Sequence, residues 1–296
     1  MTIFGHFCLD YLKGREEFPD YIRLGGTTVY ASKMAKTLEQ NVAVVSSVGG
    51  DFKHELIQPL IDRGIKIHLI ESKQRSTAFI HEYIKGVRHL NLRSRCKVIK
   101  ESDIPDEYLN SKIFYIGAIA NEVDTSVLEK ISKNNPNALI ALDLHGFVRH
   151  FDKNGELYVA DWLQAEDYLK HVTFLKGTDR EAKALTGLKN LQDMAKAISD
   201  MGPKIVVITL GRKGSFIFSS NISLQIPTIM NEIVDETGAG DTYMTAFIFD
   251  YLENEDIYHA ALYGASAASF VMEKQGPFGF KGPEEINKRL QEFLNK

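Results

Sequence analysis

Residues 233–247 read I-V-D-E-T-G-A-G-D-T-Y-M-T-A-F, an apolar-containing segment that passes through two glycines into an amphipathic helical pattern. Gly238 and Gly240 permit positive φ and let a ligand approach the backbone closely. Successive N–H groups at a helix start make an anion cradle, strengthened by the positive end of the helix dipole. Asp241 falls inside that cradle. A carboxylate there would only repel a stored phosphate, but it makes sense if it takes a proton from a hydroxyl attacking that phosphate. Taken alone, Asp241 would read as a first-turn carboxylate favoured by the dipole. The complete D-x-T-G-A-G-D string sets it apart. The chain has no G-x-x-x-x-G-K-[ST] loop to supply a different phosphate cradle.

Other polar groups lie where a ligand would meet them. A small polar ligand needs convergent carboxylate, amide and hydroxyl groups. Asp10, in G-H-F-C-L-D, follows the first apolar run, with a hinge-turn residue as the plain alternative. Gly25 and Gly26 open a helical pattern that contains Thr28 and would admit a ligand near the backbone. Asp143 and Arg149 follow the run ALIAL, and ligands of α/β proteins gather at such strand ends. For Arg149 a surface ion pair is an equal alternative. Thr209-Leu210-Gly211-Arg212-Lys213-Gly214 closes one β-branched run and opens another, and in isolation it is a plain turn.

Several residues invite readings that their surroundings do not support. His54-Glu55 and His81-Glu82 begin like metalloprotease motifs but lack the second His four residues on. His6, His145 and His150 have no companion ligands at metal spacing. Cys8 and Cys96 read as small apolar fillers and make no disulfide framework.

These residues need elements to hold them. Strand-like runs at 41–48, 65–70, 113–117, 138–142, 172–175 and 204–210 alternate with helical patterns. Ala31, Met34, Ala35 and Leu38 fall at i, i+3, i+4, i+7, as do Met244, Phe247, Ile248 and Tyr251. The small-residue helix at 259–273 reads as core packing. This alternation predicts an α/β fold: a mostly parallel sheet with helices on both faces. Two stretches break it, 7–23 and 76–95, the second reading as two strands about a turn at Lys85-Gly86. They would pair as a small lid of about 8–23 and 76–95, discontinuous in sequence, on a single domain of 1–296.

A formal net charge of −4 argues against a nucleic-acid footprint, and the basic stretch Arg88–Arg95 alternates with apolar residues like a solvated strand face. No run approaches the ~18 apolar residues of a membrane span. The apolar run at 1–7 is too short for a signal peptide, so a cytoplasmic protein is expected.

Asp235–Asp241, Leu24-Gly25-Gly26 with the helix 27–38, and Val48-Gly49-Gly50-Asp51 together resemble the ribokinase-like (PfkB) family of carbohydrate kinases, from Gly5 to about Phe280. The resemblance implies a ribokinase-like three-layer α/β fold with a small β lid. It implies Asp241 as the base and the amides of Gly238, Ala239 and Gly240 as the anion hole. It places Asp10, Gly25, Gly26, Thr28, Asp143 and Arg149 at the acceptor, and Thr209, Gly211, Gly214 and the Gly276 loop at the nucleotide. Glu181 resembles the Glu of a motif that organises magnesium, although Thr178 stands where the family has Asn. ATP is the implied donor, Mg²⁺ would neutralise charge on the transferred group, and the resemblance leaves room for a monovalent cation.

The short first lid segment and the D-L-H-G-F-V-R run look similar to the myo-inositol kinase and archaeal sugar-kinase branch. The expected reaction is therefore phosphorylation of a sugar or cyclitol. A nucleoside kinase of the same fold is the alternative enzyme, and a catalytically silent sugar- or nucleotide-binding sensor is the alternative of another class. Either a monomer or a homodimer joined at the lid edge is compatible with the sequence.

Overall fold

The computed structural model describes residues 1–13, 21–84, 87–220, 222–229 and 232–295. The chain begins in β1 (Thr2–Phe4), leaves for β2 (Cys8–Lys13) and β3 (Tyr21–Gly25), and returns through the helix Thr27–Thr37 to β4 (Ala43–Gly49) and β5 (Lys66–Ser72). It leaves again for β6 (Ala78–Ile84) and β7 (Val87–Ser94). β8 (Ile113–Ile116) and β9 (Leu139–Asp143) follow, then a hairpin of β10 (Arg149–Phe151) and β11 (Leu157–Val159). β12 (Phe174–Thr178), β13 (Ile205–Thr209), β14 (Ser215–Ser219) and β15 (Ile222–Ile226) complete the strands among the described residues.

The main sheet runs β15-β14-β13-β12-β9-β8-β1-β4-β5. The pairings β13–β14 and β14–β15 are antiparallel, and the other six in it are parallel. Side chains alternate between its faces with the two-residue period of a strand. Ile3, Val44, Tyr115, Ala141, Phe174 and Val207 meet the layer that contains Ala31, Phe247 and Ala261. Phe4, Val45, Phe114, Leu142, Leu175 and Ile208 meet the opposite layer, with Val127, Ala182 and Ala195. Burial on both faces is why these strands read as unbroken apolar runs. The small residues of the helix Ile257–Met272 let it lie close to the helix Ala239–Asn254: a Cβ on Gly264 would stand 2.8 Å from the Tyr243 carbonyl oxygen.

The expected strands are present with shifted ends. The largest shift matters most: the run at 172–175 becomes β12, which continues to Thr178 and carries Lys176 into the sheet. The two stretches that broke the alternation do pair with each other, in the order β3-β2-β6-β7, with β2 and β6 parallel and their flanking partners antiparallel. The turn expected at Lys85-Gly86 lies outside the described residues. The β10–β11 hairpin has no counterpart among the expected strands; its turn meets the lid where Leu92 N–H donates to the Gly155 carbonyl at 2.9 Å.

The lid crossings are pinned by buried polar contacts. His6 Nδ1 meets Thr77 Oγ1 at 2.6 Å and Nε2 meets the Lys97 carbonyl at 3.0 Å, so one imidazole bridges the strands entering and leaving the lid. Asp51 accepts the Ser76 N–H at 2.7 Å, which gives the Gly49-Gly50-Asp51 turn a structural task at the same crossing. Among the described residues, no helix is long and apolar enough to cross a membrane.

Candidate active site

β9 ends at Asp143, β12 at Thr178 and β13 at Thr209, so their carboxyl ends bring three of the discussed residues to one edge of the sheet. Lid strands carry Asp10, Phe79 and His81 to the same place, and the helix Ala239–Asn254 starts there. Between them lies a cavity of about 380 Å³, whose walls include Asp10, Gly26, Asp143, Arg149, Glu181, Gly238, Gly240 and Asp241. A second cavity of about 230 Å³ runs along Thr209, Gly211, Gly214, Ala239, Tyr243, Ala265, Ala268 and Met272. Both are walled by Thr178, Thr209, Glu236 and Gly240.

The glycine loop is shaped by sterics. Gly238 caps the helix at φ 77°, ψ 0°, and a Cβ there would fall 1.9 Å from the Tyr30 ring. Only glycine fits without moving Tyr30, which is itself buried. We expect Gly238→Ala to lower the thermal midpoint and the turnover number together. The left-handed backbone alone costs an L-residue ~1–2 kcal/mol, and the displaced ring adds to that. Wild-type melting and rate in that variant would show that the loop does not need this shape.

Asp241 Oδ1 accepts from Thr27 Oγ1 and from Lys176 Nζ, each at 3.3 Å. Lys176 is buried and also contacts Asp143 Oδ2, while Asp143 Oδ1 meets His145 Nδ1. A Cβ on Gly240 would lie 2.8 Å from Lys176 Nζ, so the ammonium sits against the glycine loop. Burial alone would push the Asp143 carboxyl up, but the charges of His145 and Lys176 hold it well below the usual carboxylate range. Burial would likewise discharge Lys176, yet Asp143 and Asp241 raise it above an ordinary lysine. The site therefore holds a fixed ammonium between the side chains of Asp143 and Asp241.

Arg149 and Glu181 are joined. Arg149 Nε and Nη2 each lie 2.6 Å from Glu181 Oε1, and Glu181 Oε2 accepts the Thr178 N–H at 2.7 Å. Thr178 Oγ1 accepts the Glu181 N–H at 3.3 Å in return, a capping box that starts the helix Asp179–Thr186. Burial works against the Glu181 charge, but Arg149 and His145 keep its carboxyl below the usual range. Both oxygens of Glu181 are thus engaged, and no group of three metal-ligating side chains occurs among the described residues. A magnesium ion fits this wall only as one carried in on donor phosphates and water, which is its common habit.

Three expected contacts fall elsewhere. Thr28 is fully buried and donates to the His6 carbonyl at 3.1 Å; Thr27, one step around the helix, faces the cavity instead. Gly25 makes room for a neighbour, since a Cβ there would lie 2.3 Å from Asp10 Oδ2. Gly276 lines neither cavity and donates its N–H to Asp235 Oδ2 at 3.1 Å. Lys176, Arg23, Tyr30 and His81 were not among the sequence candidates. His81 Nε2 lies 3.1 Å from Asp10 Oδ1, so the histidine of the decoy His-Glu pair lines the larger cavity. Lys176 had one weak sequence signal, a cation directly after an apolar strand run.

Residues 22–279 match the model of the pfkB family of carbohydrate kinases, and the chain belongs to that family. It is a phosphotransferase with an alcohol acceptor, a sugar or nucleoside kinase. The chain is 25% identical over 289 residues to a cytidine kinase of Thermococcus kodakarensis, covering 93% of this chain and 97% of that one. It is 26% identical over 308 residues to an inositol 3-kinase of Arabidopsis thaliana, covering 99% and 81%. Among solved structures, it superposes with TM-score 0.80 and 24% identity on a pyrophosphate-dependent kinase of the ribokinase family, complexed with a pyrophosphate analogue and myo-inositol. That match covers 93% of this chain and 96% of the other.

Proposed function

We propose that the chain transfers the γ-phosphoryl group of ATP to a hydroxyl of a small sugar or cyclitol bound in the larger cavity. The observation that carries this reading is that the glycine loop, Asp241 and Asp10 all wall one cavity, which adjoins a second, more apolar one. Ala265, Ala268, Met272 and Tyr243 offer an apolar slot for a nucleobase, with Gly211 and Gly214 beside it. The shared wall at Thr178, Thr209, Glu236 and Gly240 is where a phosphoryl group would pass from one ligand to the other.

Asp241 takes the proton of the attacking hydroxyl. The amides of residues 238–240 and the Lys176 ammonium stabilise the charge that gathers on the transferred group. Asp10 and His81 hold the acceptor from the lid side, and Asp143 fixes Lys176. When bound, Mg²⁺ neutralises donor phosphates, with Glu181 as the protein carboxylate on that side.

A nucleoside acceptor is the second reading. Phe79, Leu90 and Ile119 give the larger cavity an apolar flank suited to a base, and the cytidine kinase relative supports it. The test is a panel of myo-inositol, hexoses, pentoses and nucleosides with magnesium-ATP, and with pyrophosphate as a second donor. Turnover of a cyclitol or sugar with kcat/KM far above that for any nucleoside is expected. The reverse order would replace the acceptor, and pyrophosphate outperforming ATP would replace the donor. Tight binding without turnover would overturn the catalytic reading.

A further inference from the structure

Arg23 stands opposite Asp10 in the β2–β3 register, so its side chain starts from the lid. It is buried, and its planar fork reaches three acceptors. Nη1 donates to Asp235 Oδ2 at 2.6 Å, Nη2 to Thr237 Oγ1 at 3.1 Å, and Nε approaches Asp10 Oδ2 at 3.4 Å. Asp235 and Thr237 are the first turn of the glycine loop. Asp235 has further donors: Thr237 N–H at 3.0 Å and Thr237 Oγ1 at 2.6 Å reach Oδ1, and Gly276 N–H at 3.1 Å reaches Oδ2. Two donors thus converge on each carboxylate oxygen. Burial works to raise this carboxyl, but Arg23 and Thr237 bring it down to about 2, so it is ionised.

A monovalent cation supporting this loop would need oxygen ligands with open lone pairs. The carboxylate at the head of the loop offers none, and its countercharge is already a guanidinium. We propose that Arg23 is the resident cation of the glycine loop, a positioning residue that holds residues 235–240 in their phosphate-receiving shape and makes the reaction independent of monovalent metal ions. Because the same guanidinium touches Asp10, it also ties the acceptor wall to the anion hole. A lysine could supply the charge but not the fork.

This inference rests on the kinase reading of the same site. Its first test is the wild-type rate, with the best acceptor of the panel, in potassium, sodium or choline chloride at fixed ionic strength. Equal rates are expected; activation of about tenfold or more by potassium over choline, a difference of ~1.4 kcal/mol in barrier, overturns the proposal. In Arg23→Ala, kcat should fall about 10²-fold through misplacement of the loop, and dilute guanidinium or potassium should restore part of it. Arg23→Lys should lie between the two and stay insensitive to potassium. A wild-type rate in Arg23→Ala, or a loss that no cation reverses, assigns Arg23 to packing only and overturns the proposal.

The second test needs neither variant nor turnover. Thermal melts of the wild-type chain in potassium and choline should superimpose, and a potassium-specific rise in midpoint overturns the proposal. Superimposed melts with no turnover of any acceptor would instead count against the kinase reading alone.

Discussion

Asp241→Asn is expected to fold and melt like the wild type while kcat falls by ~10²–10⁴, the range for a lost general base. Asparagine keeps the size of the side chain and can keep an oxygen toward Thr27 and Lys176, the two donors at 3.3 Å. What it loses is the capacity to accept the hydroxyl proton. Acceptor KM should change little, because the lost interaction belongs to the transition state rather than to ground-state binding. Steady-state kinetics beside a thermal melt check both halves. Near-wild-type turnover would remove Asp241 from the role of base.

Lys176→Met carries the other large effect, and it acts on rate and stability at once. The ammonium lies against the glycine loop, so its removal takes positive charge from the place where charge develops. We expect kcat to fall by ~10²–10³, as for the loss of one preorganised donor. Its removal also strips Asp143, which is fully buried, of its ammonium partner, leaving the contact with His145. Breaking a buried pair costs ~3–5 kcal/mol, and the melt should show it. Adding Asp143→Asn removes the orphaned charge and should recover part of the midpoint without recovering the rate. If rate and midpoint return together, Lys176 serves only to neutralise Asp143.

The lysine shows why part of the site was hidden in the chain. Lys176 follows Phe174 and Leu175 and precedes Gly177, so it reads as the point where a strand stops. In the structure β12 continues beneath it, because Asp143 at the end of the adjacent β9 supplies a counter-ion. That compensation is invisible until the strands are in register. Thr27 and Thr28 pose a similar problem on a smaller scale. Either hydroxyl can follow a di-glycine, and a single 100° step of helix decides which faces the cavity. For Glu181 the resemblance implied a metal role, and for Arg149 a substrate contact with an ion pair as the equal alternative; the fold pairs the two, since each satisfies the other's charge.

Local patterns were more legible. The alternation of β-branched runs with 3.6-period segments implied the layered sheet, and the two stretches that broke it found each other as β2 and β6. The hairpin β10–β11 and the edge strand β15 were not among the expected strands; β10 and β11 are short and half-exposed, and their turn is held against the lid.

By itself the sequence determined the glycine loop with its carboxylate, the α/β layering and the existence of a lid. Each of these depends on residues near one another in the chain: φ freedom, helix dipole and hydrophobic period act over a few positions. Tertiary structure alone decided which charges surround that loop. Arg23 and Asp235 are 212 positions apart and Lys176 and Asp241 are 65 apart. Whether such groups meet depends on strand order and lid placement, and in a buried site the partner fixes both the charge state and the role.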